Sequence, residues 1–181
     1  YTADELLYLL DNADAGAVVF HGSFADTIEV IRDRLPKVKL WLWVDDASGD
    51  CPGWATPYEQ AATSGAGRVA PAWGRSGDDL NFLYTGGTTG MPKGVMWRQD
   101  DLAVVLTATA AFPLTDDGTL ADVRARLTEP GARFLPACPQ MHGTGNFPGL
   151  GTLCGGGSIV TLAGRNFDAV ELLDGIEREG V

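Results

Sequence analysis

Several protein classes are excluded by what the chain has little of. Its three cysteines, Cys51, Cys138 and Cys154, are odd in number and form no C-x-x-C pair. No signal peptide opens the sequence, so free thiols in a cytoplasmic protein are expected. There are two histidines. His21 has no His, Cys or carboxylate cluster around it in sequence, which favours an ordinary strand-end residue, and no metal site is expected. Lysine and arginine number 13 against 24 acidic residues, a net charge of −11. That balance argues against nucleic acid or an anionic membrane surface as partner. No apolar run reaches the 18 residues of a membrane span. Asn-x-Ser/Thr is absent, in keeping with a cytosolic protein.

What remains is a globular balance. The 181 residues are 45% hydrophobic and 20% charged, a length that fits one domain with a substantial core. Of the 24 glycines, many cluster in two stretches, 86–94 and 143–157.

Hydrophobic periodicity predicts alternating helices and strands. Thr2-Ala-Asp-Glu5 has capping-box form, opening a helix of about ten residues that ends near Asn12. Ala17–Phe20 reads as a buried strand. Phe24, Ile28, Ile31 and Leu35 fall on one helical face, stopped by Pro36, and Val38–Val44 supplies a second strand. Strand, helix, strand at this spacing is a βαβ unit, which implies a parallel sheet. Thr56-Pro-Tyr-Glu59 has capping form again, with Pro57 at the first helical position. A strand is predicted from Leu80 to Tyr84. Asp100 or Asp101 caps a buried helix reaching about Phe112, and Val123 and Leu127 suggest a further turn or two. Phe134–Cys138, a glycine-rich helix built on Phe147, Leu150 and Leu153, and Ser158–Leu162 give a second β-α-β. A last helix opens at Asn166–Asp168, with Leu172 and Ile176 on one face. The fold class expected is therefore α/β, parallel-strand βαβ units with flanking helices.

Chemistry concentrates in Phe82-Leu-Tyr-Thr-Gly-Gly-Thr-Thr-Gly-Met-Pro-Lys-Gly-Val95. An apolar run leads into three glycines interleaved with three threonines. Glycines bring backbone N–H groups close to a ligand, and successive N–H groups in a turn make an anion-binding concavity. Threonine hydroxyls add donors, and Lys93 adds a compact positive charge suited to phosphate. A Walker loop is excluded, because Lys93 follows Pro92 and precedes Gly94 rather than Ser or Thr. Gly65-Ala-Gly67-Arg-Val-Ala70 formally matches a dinucleotide fingerprint. It follows a predicted helix instead of a strand and runs into Pro71, so the required context is missing.

Thr85-Gly-Gly-Thr-Thr-Gly-Met-Pro-Lys-Gly94 resembles the phosphate-loop signature of the adenylate-forming superfamily: acyl-CoA synthetases, luciferases and peptide-synthetase adenylation domains. The family usually carries serine where this chain has Gly86; some bacterial fatty acyl-CoA synthetases have Gly-Gly there. Pro139-Gln-Met-His-Gly-Thr-Gly145 resembles a second motif of the superfamily, beside the acyl pocket. Cys138 and His142 as a nucleophile pair lack an orienting third group.

The resemblance implies nucleotide-phosphate contacts from Thr85, Gly86, Gly87, Thr88, Thr89, Gly90 and Lys93, with Lys93, Thr88 and Thr89 serving catalysis. It places His142, Gly143 and Thr144 on the acyl or thiol-entry side. It implies ATP with Mg2+, and CoA as cosubstrate. The implied reaction is that of a fatty-acid–CoA ligase, in which a carboxylate attacks the α-phosphate of ATP and CoA thiol then displaces AMP. An acyl-AMP ligase or peptide-synthetase adenylation domain serving a carrier protein, or a non-catalytic nucleotide-binding module, is the alternative. The family's later Tyr-Gly-x-Thr-Glu segment, which holds magnesium, and its Thr-Gly-Asp segment, which binds ribose, do not occur here, nor does its C-terminal domain. Residues 1–181 are thus expected to be one incomplete segment of the large N-terminal domain, with the phosphate loop at 84–95 and the acyl-pocket segment at 139–157. Alone, that segment is expected not to turn over.

Overall fold

Thr2 caps the first helix, α1 (Ala3–Asn12), through a reciprocal pair of hydrogen bonds. The Thr2 hydroxyl accepts from the Glu5 N–H, and the Glu5 carboxylate accepts from the Thr2 N–H at 2.7 Å. The structure, a computed structural model, describes residues 1–65, 67, 72–86, 90–107, 119–164 and 166–181. They fall into two units, Tyr1–Gly74 with Gly87–Pro92, and Arg75–Gly86 with Lys93–Val181.

In the first unit, β1 (Ala17–His21) and β2 (Leu40–Val44) pair in parallel, with Ala17 opposite Leu40 and His21 opposite Val44. Between them run α2 (Ala25–Ile31) and a 3₁₀ turn at Arg32–Arg34. The expected βαβ unit is therefore present. Ile28, Ile31 and Leu35 are buried as their spacing requires, whereas Phe24 is 47% exposed. Their core partners are Phe20, Val38, Trp41 and Trp43. Trp54 completes an aromatic cluster, stacked on Phe20 at 5.5 Å and edge-on to Trp41 at 5.9 Å. Aromatic contacts of this kind add about 0.5–1.5 kcal/mol each beyond area burial.

The capping reading of Thr56 does not hold. Thr56–Pro57 is a short strand, β3, parallel to β2, and Pro57 is the N-cap of α3 (Tyr58–Thr63) without a side-chain cap bond. Proline has no N–H to donate and is tolerated at a strand of this position. The fingerprint-like stretch lies partly outside the described residues, at 66 and 68–70.

The second unit begins with β4 (Leu80–Tyr84), paired antiparallel with β5 (Gly94–Arg98). Next come α4 (Gln99–Thr107) and α5 (Leu120–Arg126); the remainder of the long helix expected to Phe112 lies outside the described residues. Composition predicts a buried helix there. Instead α4 buries Leu102 and Thr107 while Val104 and Val105 stand exposed. The parallel pair β6 (Arg133–Phe134) and β7 (Ser158–Ile159) flanks α6 (Gly143–Cys154). This is the second β-α-β expected, with shorter strands. Leu153, read as part of the buried helix face, is 50% exposed. Finally α7 (Ala169–Glu179) is capped by Asp168, whose carboxylate accepts from the N–H groups of Val170 and Glu171, and closes on Gly180 in the left-handed region.

Candidate functional site

The glycine–threonine stretch lies at the turn of the β4–β5 hairpin. Tyr84 faces Gly94 across the pair, and the ladder extends one step further. The Thr85 N–H donates to the Lys93 carbonyl at 3.0 Å, and the Thr85 hydroxyl reaches the same oxygen at 3.4 Å. These bonds close the hairpin beyond Tyr84 and Gly94. Gly94 suits that closure: a Cβ there would lie 3.1 Å from the Tyr84 ring and 3.2 Å from that of Phe82, so the rings would have to shift to admit it. Gly90 has φ +150°, a conformation that side chains rarely adopt. Gly87, Thr88 and Thr89 lie outside the described residues.

The strand after the loop is absent from the sequence reading. Its signal is present: Val95, Met96 and Trp97 form a short β-prone run directly after the loop. Only pairing with β4 separates that run from the start of α4.

Charge around the hairpin is unequally committed. Arg98, at the foot of β5, donates to Asp78 at 2.6 and 2.9 Å and to Asp101 at 3.1 Å. Hydrogen bonding to Asp78 is the largest cause holding its guanidinium above its ordinary value. Lys93 is exposed and has no ion-pair partner among the described residues. Of the two cations in β4–β5 and its loop, one is neutralised and the other remains available.

The second motif packs against the same hairpin. His142 is the N-cap of α6, in extended conformation, exposed and without a side-chain cap bond. Its carbonyl accepts from Gly145 and Asn146, which starts the helix. A Cβ on Gly143 would lie 3.4 Å from Leu83, two residues before Thr85. The Trp97 ring meets Phe147 edge-on at 5.4 Å. Within the second unit Gly143 thus approaches Leu83, on the strand that leads into Thr85. Leu83, Trp97 and Phe147 make that junction, and no motif singled them out.

A cleft of about 260 Å³ opens beyond the ends of β6 and β7, among Pro136, Cys138, Gln140, Thr161, Leu162 and Phe167. Crevices at the carboxyl ends of parallel strands are where α/β sheets take ligands. Pro139 and Gln140 of the second motif contribute to it, but His142, Gly143 and Thr144 do not. Among the described residues no group of three or more His, Cys, Asp and Glu side chains gathers to hold a metal ion. Nor is any described helix long and apolar enough to cross a membrane.

A family model described as AMP-binding enzyme matches residues 1–181. The chain is 32% identical to the medium-chain acyl-CoA ligase Mig of Mycobacterium avium, over 100% of its own length and 34% of that protein's. It is 35% identical to a medium/long-chain-fatty-acid–CoA/3-oxocholest-4-en-26-oate–CoA ligase of Mycolicibacterium smegmatis, over 94% of the chain and 31% of the relative. In fold it is similar to the N-terminal domain of FACL13 from Mycobacterium tuberculosis, with a TM-score of 0.68 at 22% identity, covering 100% of this chain and 40% of that one. The chain thus spans about a third of the length of the curated relatives it matches.

Proposed function

Since the chain belongs to the AMP-binding enzyme family, we propose that it is part of a fatty-acid–CoA ligase and supplies the loop that holds the polyphosphate of ATP. The observation that carries the reading is a hairpin closed by Thr85 and Lys93 whose lysine has no ion-pair partner among the described residues, while the neighbouring arginine is occupied by two carboxylates. On this reading Lys93 and the N–H groups of Gly86 and Gly90 bind the β- and γ-phosphates; the Thr85 N–H closes the hairpin, and its hydroxyl, held by only a long bond to the Lys93 carbonyl, turns to join them. By resemblance to the superfamily's signature, Gly87, Thr88 and Thr89 contact the same phosphates.

In the reaction a carboxylate oxygen of the acid bonds to the α-phosphorus of ATP, and the bond to the β-phosphate bridge breaks, releasing pyrophosphate. Positive charge and hydrogen-bond donors fixed at the leaving pyrophosphate stabilise the charge that develops on it. The sulfur of CoA, having lost its proton, then bonds to the acyl carbon, and AMP leaves. His142, Gly143 and Thr144 border the path of the acyl group or thiol. An acidic chain needs its cation placed locally for this chemistry. The described residues offer no set of ligands for magnesium.

Fatty-acid-dependent exchange of pyrophosphate into ATP, followed by acyl-CoA analysis over a panel of chain lengths in the full-length protein, tests the proposal. Exchange together with acyl-CoA product is the expected result. Exchange with transfer only to a carrier protein would replace the CoA reading, and ATP binding without exchange would overturn the enzymatic one.

A further inference from the structure

The loop has an anchor far from it in sequence. Tyr8, on α1, donates its hydroxyl to the carbonyl of Pro92 at 3.1 Å, a half-buried contact across 84 positions. Tyr8 and Gly90–Pro92 belong to the same unit. Among the described residues this is the one hydrogen bond that Gly90, Met91 and Pro92 make.

The support behind Tyr8 is firm. Its helix is capped at Thr2 and Glu5, and Leu6, Leu7 and Leu10 pack onto the core around Ile28 and Ile31. Tyrosine carries its hydroxyl on a rigid ring with few rotatable bonds, so little freedom is lost in holding the contact. The acceptor is equally suited. The ring of Pro92 already locks its φ, and a held carbonyl fixes the remaining torsion. Together they set the plane of the peptide that leads into Lys93.

We propose that Tyr8 is a positioning residue for the phosphate loop, holding the Gly90–Pro92 arm so that Lys93 enters the site in a fixed direction. The inference rests on the functional reading above. It gives the Gly90–Pro92 arm a hydrogen-bond partner on α1, within the unit that they share.

Tyr8→Phe in the full-length protein keeps the ring and removes only the hydroxyl. Two measurements decide the matter. One is the rate of limited trypsin cleavage after Lys93, with cleavage after Arg34 and Lys37 as internal controls. The other is the KM for ATP and for fatty acid in pyrophosphate exchange. Loss of one half-buried hydrogen bond corresponds to about a three- to tenfold effect. Cleavage after Lys93 should rise by that factor while the controls stay level, and the KM for ATP should rise similarly with that for fatty acid unchanged. Wild-type cleavage after Lys93 would overturn the proposal, and so would an equal rise at all three sites, which marks general loosening. Selective cleavage with an unchanged KM for ATP would also overturn it. A wild-type protein without exchange refutes the ligase reading instead, and the trypsin comparison then decides the anchor by itself.

Discussion

Replacing Lys93 by alanine should leave the fold intact and cripple adenylate formation. The lysine is exposed and pairs with no carboxylate among the described residues, so its removal should change stability by no more than about 0.5 kcal/mol. Its proposed work is done on the leaving pyrophosphate. A hydrogen bond to a charged group is worth about 1.5–3 kcal/mol, which at about 1.4 kcal/mol per decade is one to two powers of ten in rate. Arg98→Ala is the matched control. That guanidinium stands at the far end of β5, where Asp78 and Asp101 already satisfy it. The assay is fatty-acid-dependent ATP–pyrophosphate exchange in the full-length protein, read beside a urea unfolding curve for each variant. Exchange should fall ten- to a hundredfold, on the order of that hydrogen-bond energy, in the Lys93 variant and remain near wild type in the Arg98 variant. Near-wild-type exchange without Lys93, or equal losses from both substitutions, would refute the reasoning, because the effect would not follow the uncommitted charge.

Three other outcomes are expected. Ile31 is fully buried in the first unit's core, and Ile31→Ala should cost about 2–5 kcal/mol, seen as a lowered urea midpoint. Gly86 has no positive φ and open space where a Cβ would stand, whereas Gly90 has φ +150°. Gly86→Ser should therefore fold like the wild type, while Gly90→Ala should lose about 1–3 kcal/mol; equal midpoints for the two would contradict the loop conformation. Hydrogen bonds from Ser48, then from Ser23, hold the Asp46 carboxyl well below its ordinary range, against some desolvation. Its contribution is complete at neutral pH, starts to fade as pH falls through the unfolded value of about 4, and is lost below the depressed folded value. Asp46→Asn should flatten the acid limb of the stability–pH profile, and an unchanged limb would exclude this role.

Elements specified by neighbours in sequence were legible with little error. The Thr2–Glu5 capping box and the helix it opens required only residues within one turn. The burial of Ile28, Ile31 and Leu35 followed from helical spacing, and the parallel pairing of β1 and β2 from the length of the crossover between them. The misread parts depend on partners that periodicity does not reveal. Thr56 looked like a helix cap because a hydroxyl before Pro-x-Glu has that form; β2 offered its backbone a sheet edge instead. The exposure of Val104, Val105 and Leu153 was hidden because composition reports hydrophobicity, not which face another element covers.

The phosphate-loop stretch shows the division most clearly. Its chemistry was determined by sequence alone: glycine, threonine and lysine in a fixed order specify donors, charge and a sharp turn whatever surrounds them. Tertiary structure decided how those groups are held. The Thr85–Lys93 hydrogen bond needs β4 and β5 in register, the placement of His142 needs Gly143 against Leu83, and the arm before Lys93 meets Tyr8 across 84 residues. Such contacts are set by the packing of distant segments, and a local pattern carries no record of which carbonyl a tyrosine will find.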